Sequence, residues 1–345
     1  MRIGLTTLLL GGIILAHTSC GESSKNPSTT NTPGETPELP GYVLENEFLH
    51  LRVVDNSERY FHNNDAFSTG MNGLAVLIHK DQRKNIYSFA GLNLECTRTD
   101  PPAGKYQDLW NAPRVAPMRI RRISDSSVML GQSAEDASGL NFEVVFTLHG
   151  QYVDQVITCW PDHDIGSSSS FWASYMNQVQ YTSLFLRAPP QEDQGEQWFE
   201  ITSAGHSAED GLGVYARGYD PFGLEWHEHL ADNPLLRQEI TETPASRQAT
   251  LDAGFKPYPQ MAMDHFYYGL IDEYLYLMIF REPEFSFWIS ASGSETLRQP
   301  AWDYQIISGP QKAGEKRSYH VRLVYKPFAG IEDILAEVAR FVNEN

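Results

Sequence analysis

Alternation with a period of two governs residues 43–326 and constrains this chain more than any other feature. In LNFEVVFTL, Leu140, Phe142, Val144, Phe146 and Leu148 alternate with Asn141, Glu143, Val145 and Thr147. Only an extended strand turns that pattern into one apolar face and one wetter face. Gly150-Gln151 then supplies a two-residue turn, and the alternating run YVDQVITCW from Tyr152 to Trp160 completes a hairpin. The same pattern recurs in LHLRVV from Leu49, MRIRRI from Met118, SLFLRA from Ser183, and YHVRLVY, where Tyr319, Val321, Leu323 and Tyr325 share a face. EYLYLMIF, from Glu273 to Phe280, is apolar on both faces and predicts a central strand covered on each side. Roughly fifteen such segments separated by turn residues predict an all-β protein, a large antiparallel β-sandwich.

The period changes only after Gly330. There Ile331, Ile334, Leu335, Val338, Phe341 and Val342 fall on one stripe, so residues 331–345 are expected to form an amphipathic helix packed on the sandwich. No repeat of fixed length marks a propeller or solenoid. Composition does not break within residues 43–330, which predicts one large domain.

The first residues read differently. Arg2 precedes an uncharged apolar run from Ile3 to Ala16, shorter than the ~20 residues a membrane-spanning helix needs, so residues 1–19 read as a secretory signal. Cys20 follows the small residues Thr18 and Ser19 and precedes Gly21, which resembles a bacterial lipoprotein box, with His17 where that box usually carries Leu, Val or Ile. The resemblance implies acylation of Cys20, cleavage before it, and, with Gly21 rather than an acid next, the outer membrane of the cell envelope as destination. Residues 20–42 are rich in Ser, Thr, Asn, Gly and Pro and are expected to act as a flexible tether. The lipid would be the only membrane contact.

The formal charge of −18, from 26 basic and 44 acidic side chains, speaks against nucleic acid as partner, because a polyanion is gripped by dense Lys and Arg. Cys96 and Cys159 remain as the other cysteines; exported proteins oxidise such pairs, yet lone buried thiols in strands are equally ordinary. No CxxC pair, G-x-S-x-G elbow, His-Glu-x-x-His helix or phosphate-cradling glycine loop occurs. Neither a cofactor nor a metal is expected.

A body of this size, the segment YFHNNDAFSTGMNGLAVLIHKD from Tyr60 and the late strand PAWDYQII from Pro300 resemble the galactose-mutarotase-like supersandwich superfamily, which includes aldose epimerases and accessory domains of glycan-cleaving enzymes. The epimerase signatures, a histidine in an Asn-His-x-Tyr-Phe segment and a late glutamate, do not occur as such. DHFYYG, from Asp264 to Gly269, is the nearest echo. The resemblance therefore implies a carbohydrate-facing sheet rather than a defined reaction.

Sugars offer C–H faces that stack on aromatic rings and hydroxyls that pair with carboxylates, amides and arginines. Four clusters hold that mixture. In GLNLECTR, Asn93 and Glu95 are two residues apart and share a strand face, with Trp110 shortly after. In CWPDHDIGSSSSFWASYMN, Asp162 precedes a serine loop leading to Trp172 and Tyr175. In MDHFYYG, Asp264 can orient His265, a general acid or base near neutral pH, and Tyr267 follows. In PAWDYQ, Asp303 follows Trp302. Arg119 in MRIRRIS could hold a sugar carboxylate or pair with acids across the sheet.

Catalytic expectations thus fall on His265, Glu95, Asp162 and Asp303, and substrate-binding ones on Asn93, Trp110, Arg119, Trp172, Tyr175, Asp264 and Tyr267. Two readings stand. One is an exported, lipid-anchored carbohydrate-active enzyme of hydrolase, lyase or epimerase type. The other is a non-catalytic glycan-binding or structural envelope lipoprotein.

Overall fold

A computed structural model describes residues 41–57, 59–60, 69–70, 72–107, 109, 111–177, 179, 184–191, 195–201, 213–216, 266–282, 284–291 and 300–344. Cys20, the signal and nearly all of the tether lie outside them, as do Trp110, Asp264 and His265.

Two antiparallel sheets face each other. The first has eight strands, in the order β1 (Tyr42–Glu45), β2 (Leu49–Val54), β5 (Gly73–His79), β6 (Tyr87–Asp100), β11 (Ser167–Met176), β18 (Pro300–Ser308), β17 (Phe285–Ala291) and β14 (Gly213–Ala216). The second has nine, in the order β13 (Gly195–Ile201), β12 (Leu184–Gln191), β15 (Phe266–Ile271), β16 (Tyr274–Phe280), β19 (Arg317–Pro327), β10 (Tyr152–Pro161), β9 (Leu140–His149), β8 (Ser127–Gln132) and β7 (Met118–Ser124). A short ribbon pairs β3 (Arg59–Tyr60) with β4 (Thr69–Gly70). This is the large sandwich that the alternation predicts.

The core lies between the sheets because every strand sends alternate side chains there. In β9, Leu140, Phe142, Val144, Phe146 and Leu148 are buried while the residues between them are half-exposed. Its hairpin partner β10 pairs Tyr152 with His149 across the expected Gly150-Gln151 turn. From the opposite sheet come Leu92, Leu94, Trp172, Trp302, Tyr304 and Ile306, and the Trp172 ring stacks on Tyr304 at 6.1 Å. Each large side chain of this kind contributes about 1.5–3 kcal/mol when withdrawn from water.

β16 is buried along its whole length, as its unbroken apolar run requires. Tyr274, Tyr276, Met278 and Phe280 face the other sheet, while Leu275, Leu277 and Ile279 meet Ile334 and Phe341 of the terminal helix α2 (Ile331–Asn343). Gly330 opens that helix at φ 99°, a left-handed conformation that glycine adopts without strain. Arg322 fastens its far end. The guanidinium takes Asp154 at 2.7 and 2.9 Å and Glu344 at 3.0 and 2.7 Å, and lies 4.0 Å from the Tyr152 ring centroid. Among the described residues no helix is long and apolar enough to cross a membrane.

Candidate active site

Three adjacent strands at the middle of the eight-stranded sheet build the site on the face turned away from the core. Alternation decides who stands there. Leu94, Trp172 and Tyr304 share a row and point inward, so Asn93 on β6, Ala173 and Tyr175 on β11, and Asp303 on β18 point outward. Ala173, paired with Asn93, carries only a methyl group and, like Asn93 and Asp303, is buried.

Glu95, two residues after Asn93, shares its face, and both bond to Arg114. An irregularity begins at Glu95: Leu94 pairs with Trp172 and Cys96 with Phe171, which leaves Glu95 as an extra residue on β6. A β-bulge of this kind adjusts the aim of a side chain and is common beside active sites.

The cation of the site comes from a four-residue helix, α1 (Ala112–Val115), with proline in its first turn. Arg114 donates from Nε to Asn93 Oδ1 at 2.9 Å and from Nη2 to Glu95 Oε2 at 3.0 Å, and its guanidinium lies 5.6 Å from the Tyr175 ring centroid. The Tyr175 hydroxyl donates to the same Glu95 oxygen at 3.0 Å. Arg114 and Glu95 are only 8% and 12% exposed, so this ion pair works at a low local dielectric. Two amides clasp α1, one from the bend after β2 and one from the end of β8. Asn56 donates to the carbonyls of Pro113 and Ala116, and Gln132 donates to the same two at 3.1 and 3.0 Å. They satisfy carbonyls that so short a helix leaves unpaired and thereby fix Arg114.

Asp303 is a second interruption of the sheet. The β11–β18 pairing runs from Trp172↔Tyr304 to Tyr175↔Ala301 and omits the two positions between. Side chains fill the gap: Asp303 Oδ1 accepts the Ser174 N–H at 2.7 Å, and Ser174 Oγ bonds to the backbone of Trp302. Burial, reinforced by the Glu95 carboxylate and opposed by the Ser174 N–H and Arg114, holds the Asp303 carboxyl well above its ordinary value. Burial and Glu95 likewise push the Tyr175 phenol up. The site therefore sets a carboxyl whose proton affinity burial raises, on β18, near an arginine-paired carboxyl on β6, environments that differ as an acid role differs from a base role.

Asn93, Glu95, Tyr175 and Asp303 thus converge, and Arg114 joins them. Nothing in the chain's periodicity singles out Arg114. Its only sequence signal is the arginine directly after Pro113, where a proline-initiated turn can present a side chain.

The other expected site residues are placed elsewhere or lie outside the described residues. Trp172 is fully buried between the sheets and has no face left for a ligand. Tyr267 is equally buried, its hydroxyl donating to the Trp302 carbonyl at 3.0 Å and its ring against Phe280 and Phe287. Asp162 is exposed on a turn after β10 and accepts from Asn141 at 2.7 Å. The length of β11, roughly 25 Å at ordinary strand rise, lies between that turn and Tyr175. Arg119 belongs to the other sheet, exposed on the edge strand β7 opposite Gly131 rather than an acid. Charged residues on an edge strand discourage pairing with another chain. Trp110, Asp264 and His265 lie outside the described residues.

Cys96 and Cys159 are both buried, and burial pushes the Cys159 thiol up to about 12. Among the described residues no group of three or more His, Cys, Asp or Glu side chains could hold a metal ion.

No protein-family model matches the chain, and no curated protein does. Among solved structures, the chain is similar to a galactose mutarotase-like protein from Lactobacillus casei, at 9% identity and a TM-score of 0.45 over 82% of this chain and 99% of that one. A protein of Synechocystis sp. PCC 6803 matches at 8% identity and a TM-score of 0.47, over 87% and 100%. An alpha-N-acetylgalactosaminidase from Bifidobacterium bifidum matches at 13% identity and a TM-score of 0.40, over 88% of this chain and 39% of that one. Likenesses this distant assign neither an activity nor a residue role.

Proposed function

We propose that the outer face of the eight-stranded sheet handles a carbohydrate by acid–base chemistry, with Asp303 as proton donor and Glu95 as proton acceptor. The observation that carries this reading is the convergence of Glu95 and the buried Asp303 on the outer face of the sheet beside one arginine, Arg114. A sugar at this cluster is offered the Arg114 guanidinium and the Glu95 carboxyl, groups suited to hydroxyls, while the fully buried Asn93 spends its amide on Arg114 and the Ala173 carbonyl. The Asp303 carboxyl gives its proton to a ring or bridging oxygen while Glu95 takes one from a hydroxyl or water on the other side. The two transfers conserve protons and leave Asp303 ionised and Glu95 protonated, the reverse of the starting state. Arg114 then stabilises the new negative charge.

A second reading has its own support. Glu95 is already engaged by both Arg114 and Tyr175, and a carboxylate so held also suits a binding site that performs no chemistry. Turnover separates the two. The chain without residues 1–19 is incubated with a panel of reducing sugars and oligosaccharides, and products and anomer ratios are followed by NMR and mass spectrometry. The catalytic reading expects a product or accelerated anomer exchange that Glu95→Gln and Asp303→Asn each abolish. Sugar binding without turnover in the parent overturns it in favour of the binding reading.

The basic-then-apolar opening and Cys20 support export and lipid anchoring at the cell envelope. Metabolic labelling with a fatty acid tests this, because Cys20→Ala removes the label if the reading holds.

A further inference from the structure

β5 and β6 separate next to the bulge. Among the described residues β5 pairs with β6 at Leu74↔Leu92, and no strand pairing of Leu94 with β5 is found. Asn72, immediately before β5, takes that place with its side chain. Its Oδ1 accepts the Leu94 N–H at 2.9 Å, and its Nδ2 donates to the Leu94 carbonyl at 3.0 Å. One amide thus reproduces the pair of bonds that a neighbouring strand exchanges with a single residue. Asn72 is fully buried.

On the opposite edge of β6, register slips at the next residue: Leu94 pairs with Trp172, Cys96 with Phe171, and Glu95 with neither. Downstream, Thr97 hydrogen-bonds Ser138 and Thr99 reaches the Ser138 carbonyl at 3.4 Å, both on the core side. These contacts hold the later part of the strand, because a one-residue slip would carry Thr97 and Thr99 to the other face. The bulge cannot be absorbed by sliding. It is pinned between Asn72 on one side and the Ser138 contacts on the other.

We propose that Asn72 is a positioning residue that fixes the bulge, and so sets where the Glu95 carboxyl stands relative to Asp303 and Arg114. This rests on reading Glu95 and Asp303 as a working pair. Aspartate in place of Asn72 would set a carboxylate against the Leu94 carbonyl, and alanine would leave both Leu94 groups buried and unbonded. Both changes release the bulge, which lets Glu95 swing while the sheet on either side keeps its register.

Asp303 itself reports the position of Glu95, since the Glu95 carboxylate is one of the groups raising its proton affinity. The experiment follows the Asp303 side-chain carboxyl by 13C NMR through a pH titration in the parent, Glu95→Gln, Asn72→Ala and Asn72→Ser. Serine retains one of the two bonds and serves where alanine fails to fold. Removing the Glu95 charge is expected to lower the Asp303 midpoint. Asn72→Ala is expected to lower it by the larger part of the same shift, and Asn72→Ser by less. A parent-like Asp303 titration in folded Asn72→Ala or Asn72→Ser, while Glu95→Gln moves it, overturns the positioning role and leaves the acid–base pair standing. An Asp303 midpoint that does not respond to Glu95→Gln overturns the pair itself, and the role of Asn72 with it.

Discussion

Asparagine in place of Asp303 tests the electrostatics of the site through stability alone, with no ligand needed. Asp303 is 5% exposed, and its carboxyl is held well above the ordinary 3.8, by burial first and then by Glu95, against the opposing Ser174 N–H and Arg114. In the unfolded chain the group loses its proton near the ordinary value, whereas in the native protein it keeps it. Between the two values the unfolded state binds fewer protons, and stability falls as pH rises, by about 1.4 kcal/mol per pH unit. The stabilisation is whole below the ordinary value, erodes through that window and changes no further once the native group has ionised. Asparagine retains an oxygen for the Ser174 N–H and never ionises, so the variant escapes the erosion. Its extra amide protons add an offset that does not vary with pH. Asp303→Asn is therefore expected to gain on the parent by about 1.4 kcal/mol for each pH unit above about 4, levelling at the native Asp303 midpoint. Urea denaturation at a series of pH values measures the difference directly. A difference that is flat across pH, or that shrinks as pH rises, would refute a buried neutral Asp303.

Other outcomes follow from the same geometry. Glu95→Gln leaves the Arg114 charge buried with no carboxylate opposite and is expected to cost about 3–5 kcal/mol, part of which Glu95→Gln with Arg114→Met recovers in denaturation curves. Arg322→Ala should free the end of α2, seen as faster amide exchange over Ile331–Asn343 than in the parent. Because Arg322 lowers the Glu344 carboxyl, the stability from that contact is present above the ordinary 4.5 and lost as pH falls through the depressed native value, so parent and variant converge in acid. Cys96 and Cys159, both buried, should resist a thiol reagent in the folded protein and react once urea unfolds it.

Much of the architecture could be read from residue spacing. The LNFEVVFTL hairpin, the doubly covered EYLYLMIF strand and the terminal helix follow from periods of 2 and 3.6, because each period maps a residue onto a face without reference to the rest of the chain. The site was legible only in part. Asn93 and Glu95 are two apart and share the face that spacing predicts, while the bulge that begins at Glu95 is set by long-range partners. Trp172 and Tyr267 resemble ligand platforms in sequence, since an aromatic ring is as suited to a sugar as to a core and their inward direction depends on strand register. Arg114 carries no signal beyond the proline before it and Asn72 carries none, because one acts from a four-residue helix and the other bonds the Leu94 backbone with its side chain.

At the centre of the account a sugar is handled by Glu95 and Asp303 beside Arg114. The most direct measurement takes a sugar that binds the chain without residues 1–19 in a glycan screen and adds it during 13C detection of the side-chain carboxyls. The account predicts that the Asp303 and Glu95 resonances move together as the site saturates, and that Asp303→Asn weakens or abolishes the binding or turnover. Saturation that leaves both carboxyls unmoved while other resonances shift would contradict it.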